Sequence, residues 1–141
     1  MIDKFENYLN LGKAKKKTPD ISEANSLLEK AKLRIEFMRE LNEKTASLFL
    51  EDSYEAAREA AQCLMSIKGF KPYSHEATIS FLKEYYKQDF TEYEINQFDR
   101  FRELRNNSVY KAEPVITNDA LKCLEFARNL IKKIEQIKDK K

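Results

Sequence analysis

Two glycines and three prolines are all that punctuate this 141-residue chain. That supply of turn-formers is too small for an architecture of many short strands. The abundance of Ala, Leu, Glu, Lys and Arg favours helices instead. The expectation is an all-α protein. The length suits one domain around a single core. A hydrophobic content of 42% is enough to pack that core, while 35% charged residues and a mean hydropathy of −0.70 describe a heavily solvated surface. The net charge of +2 makes no global case for nucleic-acid binding, so any such site must come from local clustering.

Along the chain, Ile2, Phe5 and Leu9 predict a short amphipathic helix, followed by Gly12 and the basic run Lys13, Lys15, Lys16 and Lys17 up to Pro19. Residues 1–19 read as a helical extension and a solvated basic linker, with phosphate contact the competing reading of the lysines. Asp20 or Ser22 caps a long helix whose stripe runs Ala24, Leu27, Leu28, Ala31, Ile35 and Met38, widened by Leu33, Phe37 and Leu41. The next helix centres on Tyr54, Ala57, Ala61 and Leu64, with small residues that permit close approach of a neighbour. Gly69 ends it, Pro72 follows, and Ser74 caps a shorter helix through Ile79, Leu82 and Tyr86. A further helix spans roughly 92–110 and stops before Pro114. Thr117 or Asn118 caps the last, where Leu121, Leu124, Ile131, Ile134 and Ile137 recur at steps of three and four. The pattern predicts an antiparallel bundle of four to five main helices over residues 20–141.

Cys63 and Cys123 fall on apolar helix positions and read as buried free thiols. With two distant cysteines and one histidine, no metal site is expected, and no cofactor motif is visible. The chain carries no apolar run long enough for a membrane span and begins polar, which places it in the cytoplasm.

Arginine stands where core residues belong in the segment from Arg100 to Tyr110. Taken as a helix, Ile95, Phe98, Phe101 and Val109 share one face, Arg105 projects into its middle and Arg102 lies beside it. Arginine is rarely buried unpaired, so this face asks for a carboxylate, a phosphate or a crevice between subunits. Both side chains could instead snorkel outward to acids such as Glu103. Glu55 and Glu59, on the alanine-rich helix, are further candidate ion-pair partners.

Arg105, Asn106, three further residues and Tyr110 resemble the signature of the HEPN superfamily. A second stretch, Ser53-Tyr54-Glu55-Ala56-Ala57-Arg58-Glu59-Ala60-Ala61 leading to Gly69, Pro72 and Ser74-His75-Glu76-Ala77, is similar to the second helix and following helix start of HEPN proteins. The resemblance covers roughly residues 22–137. It implies a HEPN-like bundle, pairing of two copies so that the arginine motifs line one cleft, and the chemistry of a metal-independent endoribonuclease. In that reaction the 2′-hydroxyl attacks the adjacent phosphate and leaves a cyclic phosphate and a 5′-hydroxyl. Arg105 would bind phosphate, Arg102 would add positive field, Asn106 would position an oxygen, and Tyr110 would donate a proton or stack.

Tyr110 occupies the position where the ribonucleases place histidine. An ordinary phenol is only about one part in a thousand ionised at neutral pH, so without help the base contribution of roughly 10²–10⁴ is lost. The expectation is RNA or nucleotide binding in a dimer cleft, with weak or degenerate ribonuclease activity of a toxin–antitoxin or defence system. The alternative that the resemblance implies is a non-catalytic protein pairing with a minimal nucleotidyltransferase, with Arg105 in a structural ion pair. His75, the one imidazole, reads as a surface or capping residue. Tyr85, Tyr86 and Tyr93, near Lys83 and Lys87, either cover the end of the bundle or stack bases.

Overall fold

In a computed structural model that describes residues 2–140, the chain is mostly helical, as its composition requires. Six helices occur among the described residues: α1 (Phe5–Asn10), α2 (Ile21–Glu36), α3 (Ala46–Lys68), α4 (His75–Tyr85), α5 (Glu92–Lys111) and α6 (Thr117–Asp139). No helix among the described residues is long and apolar enough to cross a membrane. Two three-residue strands, β1 (Ala14–Lys16) and β2 (Phe70–Pro72), complete the fold.

Helix α3 is the axis of the molecule. It packs most extensively on α2 and α6 and also meets α4, α5 and β2. Ala56, Ala57, Ala60 and Ala61 are fully buried, and their small side chains let neighbouring helices approach closely. Cys63 and Cys123 are buried free thiols, as expected. Phe126 of α6 packs against Phe98 and Phe101 of α5 with ring centroids 5.3 and 5.5 Å apart.

Several helix ends follow the sequence. The Asp20 side chain accepts from the Glu23 N–H at 2.9 Å, and that of Ser74 from the Ala77 N–H at 3.1 Å. Thr91 and Glu94 form a reciprocal capping box at the start of α5. Gly69 closes α3 with φ of +88°, its N–H donating to the Met65 carbonyl at 2.9 Å.

Other ends depart from expectation. The stripe through Met38 and Leu41 continues the helical period, yet α2 stops at Glu36. Beyond it, Thr45 Oγ1 donates to the Glu40 carbonyl at 2.6 Å and Asn42 Oδ1 accepts from two backbone N–H groups, so local side-chain bonds replace the helical ladder. Neither Thr117 nor Asn118 caps α6. The cap position is Ile116, without a side-chain bond, and its carbonyl accepts from the Ala120 N–H at 3.2 Å.

The basic run is a strand rather than a linker. Ala14, Lys15 and Lys16 pair antiparallel with Pro72, Lys71 and Phe70. Ala14 is buried while both lysines face outward, and Phe70 packs edge-on against Phe5 of α1 at 5.3 Å. This short ribbon continues into Tyr73, whose N–H donates to the Lys13 carbonyl at 2.8 Å immediately ahead of the α4 cap. The lysine side chains sit over the Tyr73 ring, Lys15 at 5.6 Å and Lys71 at 5.5 Å from its centroid.

Candidate functional site

Helices α3, α4 and α5 converge around Tyr54. Its side chain is 1% exposed, and its ring meets Phe98 of α5 edge-on at 5.8 Å and stacks on His75 of α4 at 5.5 Å. The Tyr54 hydroxyl lies 3.1 Å from His75 Nδ1. Burial pushes the Tyr54 phenol above its ordinary pKa, so the hydroxyl keeps its proton.

Above this junction opens a small pocket of about 150 Å³, lined by His75, Glu76, Arg102, Arg105, Asn106 and Tyr110. The four motif residues expected to act together, Arg102, Arg105, Asn106 and Tyr110, therefore share one surface depression. The apolar face that was to carry them is shorter than its periodicity implies. Ile95, Phe98 and Phe101 are buried, but Val109 is 41% exposed, because the last two turns of α5 run out beyond the core. Ser108 ties this end back to α3 by donating to Glu51 Oε2 at 3.0 Å.

The two arginines differ in their partners. Arg102 Nε donates to Asp99 Oδ1 at 2.7 Å, one turn earlier on α5, and Glu103 lies 3.7 Å from its Nη2. Burial opposes the Arg102 charge, but the Asp99 hydrogen bond together with the negative charges of Asp99 and Glu76 holds the guanidinium above its usual pKa. Arg105 has no carboxylate partner among the described residues. Its Nη1 donates to Asn106 Oδ1 at 3.3 Å, and its guanidinium carbon stands 5.9 Å from the centre of the Tyr110 ring.

Neither of the acids expected beside these arginines pairs with them. Glu59 binds Arg34 at 2.7 Å, with Lys30 at 3.7 Å, on the α2 side of α3. Glu55 takes Arg58, one turn along α3. Burial opposes the Glu55 charge, yet the Arg58 hydrogen bond and the positive charges of Arg58 and Arg34 together hold its carboxyl below the ordinary range. The arginines of α2 and α3 lie closer to these acids than those of α5 do, and the spacing of acids along one helix does not reveal it.

His75, read from sequence as a surface or capping residue, also lines this pocket. Its position at a helix start gives no periodicity that links it to Tyr54 or to α5, and only the packing of α4 against α3 and α5 brings it into the pocket. Burial, reinforced by the cationic Arg58 and Arg105, lowers its pKa to about 4, so the imidazole is neutral at physiological pH. The bundle-end tyrosines divide. Tyr86 is buried, Tyr85 stacks on Phe81 at 4.7 Å, and Tyr93 is exposed.

A larger cavity of about 430 Å³ lies between α5 and α6, away from the motif. Its lining mixes Arg100 and Lys122 with Glu94 and Glu125, and Glu94 is already bound by Lys133 at 2.8 Å. No charge of one sign converges there. The smaller pocket brings Arg102 and Arg105 together on one wall, with Glu76 also in its lining. No cluster of His, Cys, Asp and Glu suited to a metal ion occurs among the described residues. No family model matches this chain, and no curated protein matches it.

Proposed function

We propose that this chain is a HEPN-like protein that binds the phosphate of RNA or of a nucleotide through the Arg105 pocket, in a cleft between two copies. The observation that carries the reading is Arg105 itself: a guanidinium without a carboxylate, beside Asn106, Tyr110 and a second arginine whose own charge is held by Asp99. A planar fork of donors left free at a concave surface matches two phosphoryl oxygens. The arginine–polar–x3–tyrosine order supplies the family resemblance, and the exposed face from Val109 to Tyr110 is the surface through which a second copy would join the cleft.

Tyr110 is 74% exposed in this single chain, with the Arg105 contact its one aromatic–cation interaction among the described residues. We infer weak or absent ribonuclease activity with binding retained. The competing role, a non-catalytic partner of a minimal nucleotidyltransferase with Arg105 locked in an ion pair, gains nothing from an Arg105 that forms no ion pair among the described residues, although Glu76 lines the same pocket.

The test is direct. Sedimentation measures whether the chain dimerises, and fluorescence anisotropy measures binding of a labelled single-stranded RNA by the native protein and by Arg105→Ala. The expected result is a dimer whose RNA affinity collapses on that substitution. Equal affinity in the two proteins overturns the reading.

A further inference from the structure

The Tyr54–His75 contact determines what the imidazole can offer the pocket. Tyr54 is almost wholly buried, and His75 Nδ1 is the sole hydrogen-bond partner of its hydroxyl among the described residues. A buried phenol must place its proton on an acceptor, and Nδ1 is the acceptor within reach. Tyr54 therefore donates to Nδ1, and in the neutral ring the remaining proton resides on Nε2. Ring stacking, 28° between planes, holds the imidazole in that orientation. Nε2 has no protein partner among the described residues, and His75 lines the same pocket as Arg105.

We propose that His75 is a phosphate ligand of this site, a neutral imidazole whose Nε2–H donates to a phosphoryl oxygen held by Arg105. The proposal rests on the phosphate-binding reading above and adds a residue from a different helix to it. Its charge state fits its neighbours. Arg58 of α3 and Arg102 and Arg105 of α5 oppose a second proton on the ring, while Glu55 of α3 favours it and is itself bound by Arg58. A neutral donor adds a hydrogen bond to the anion without repelling the guanidinium groups.

The same tautomer removes His75 from acid–base work. To accept a proton from a 2′-hydroxyl, Nε2 would need its lone pair, and that flip strands the Tyr54 proton without an acceptor in the core. The pocket is thus built to hold a phosphoryl group rather than to shuttle protons, in keeping with a tyrosine where the ribonucleases carry histidine.

His75 is the only histidine in the chain, so its ring signals in a long-range ¹H–¹⁵N spectrum need no assignment. The native protein is expected to show the Nε2–H tautomer. Inorganic phosphate, a nucleoside 5′-monophosphate and a short single-stranded RNA are then titrated in turn, and the His75 signals are expected to shift saturably. Saturation by inorganic phosphate identifies a lone phosphoryl group as sufficient, and a response to RNA alone identifies a polymeric ligand; both support the assignment. In anisotropy, His75→Ala is expected to weaken binding about tenfold, the worth of one hydrogen bond to a charged group. His75→Gln, whose amide restores a donor, is expected to recover most of it. An Nδ1–H tautomer overturns the proposal. So does binding that is lost in Arg105→Ala while the His75 signals stay unmoved, an outcome that leaves the phosphate reading intact. Failure of all three probes to bind overturns both. The spectrum of the native protein decides the matter even where a His75 variant fails to fold.

Discussion

Glu59 on α3 carries the Arg34 guanidinium of α2 at two points, 2.7 Å to Nε and 3.3 Å to Nη2, on a residue only 3% exposed. Arg34→Ala leaves that carboxylate in the helix interface with only the more distant Lys30. Breaking a buried pair costs about 3–5 kcal/mol, and the partial exposure of Arg34 brings the expected loss to about 2–3 kcal/mol. Urea denaturation should show a lower midpoint with an unchanged slope. A midpoint within error of the native protein would mean that the clamp is idle.

Gly69 should tolerate no side chain. It sits at φ of +88°, and a Cβ there would stand 2.6 Å from the Lys17 carbonyl, a backbone atom that cannot swing away. The left-handed conformation alone costs roughly 1–2 kcal/mol, and the clash adds to it. Gly69→Ala is expected to destabilise by at least about 2 kcal/mol in thermal or urea unfolding. Gly12→Ala shares the positive φ but meets nothing within 4 Å, so the smaller loss there isolates the contribution of the clash.

Stability should fall with acid in a window set by His75. Its folded pKa lies near 4 against an ordinary 6.5, so the unfolded chain binds more protons between those values. The contribution is fully present above about pH 6.5 and is lost progressively down to about pH 4. The carboxylates held below their ordinary pKa values, such as Glu55 and Glu94, add their own loss only at the acid end. Comparing urea midpoints at pH 7 and 5.5, the native protein should lose more than His75→Gln. Parallel pH profiles would contradict this.

Phosphate contact should be specific to one arginine. Arg105→Ala is expected to cost about 1.5–3 kcal/mol of RNA affinity and to reduce the slope of log K against log salt by about one contact. Arg100, exposed and 3.4 Å from Asp119, serves as the control. Its replacement by Ala should leave affinity nearly unchanged. Equal losses at both positions would point to diffuse attraction rather than a site.

The thiols should be inert in the folded protein. Burial pushes Cys63 up to about 11 and Cys123 higher still, so neither forms thiolate near neutrality. Reaction with a thiol-specific disulfide reagent at pH 8 should proceed at the rate of unfolding and accelerate with urea. A rapid phase in the absence of denaturant would show that one of them is accessible.

Local chemistry was legible wherever it acts within a few residues. Asp20, Gly69 and Ser74 announce their helix ends because cap and capped groups are neighbours in the chain, and the boundaries of α5 follow from its apolar period and Pro114. The assembly of Arg102, Arg105, Asn106 and Tyr110 was legible for the same reason: they ride on one helix. Pairings between distant segments were not. Nothing local in Lys15-Lys16 selects Lys71 and Phe70 as strand partners, and nothing in Glu59 favours Arg34 over Arg105. The place of His75 in the pocket was not legible either, because its hydrogen-bond partner, Tyr54, lies on another helix.

The ribbon of β1 and β2 has a consequence far from its own hydrogen bonds. Tyr73 is anchored to Lys13, and the next two residues are the Ser74 cap and His75. The leading segment therefore fixes the backbone just ahead of His75 although its strand residues line no part of the pocket. Removing the chain ahead of Asp20 would leave the guanidinium wall on α5 and the Tyr54 contact of the ring standing, and would take away the backbone anchor of the residue that leads into the α4 cap.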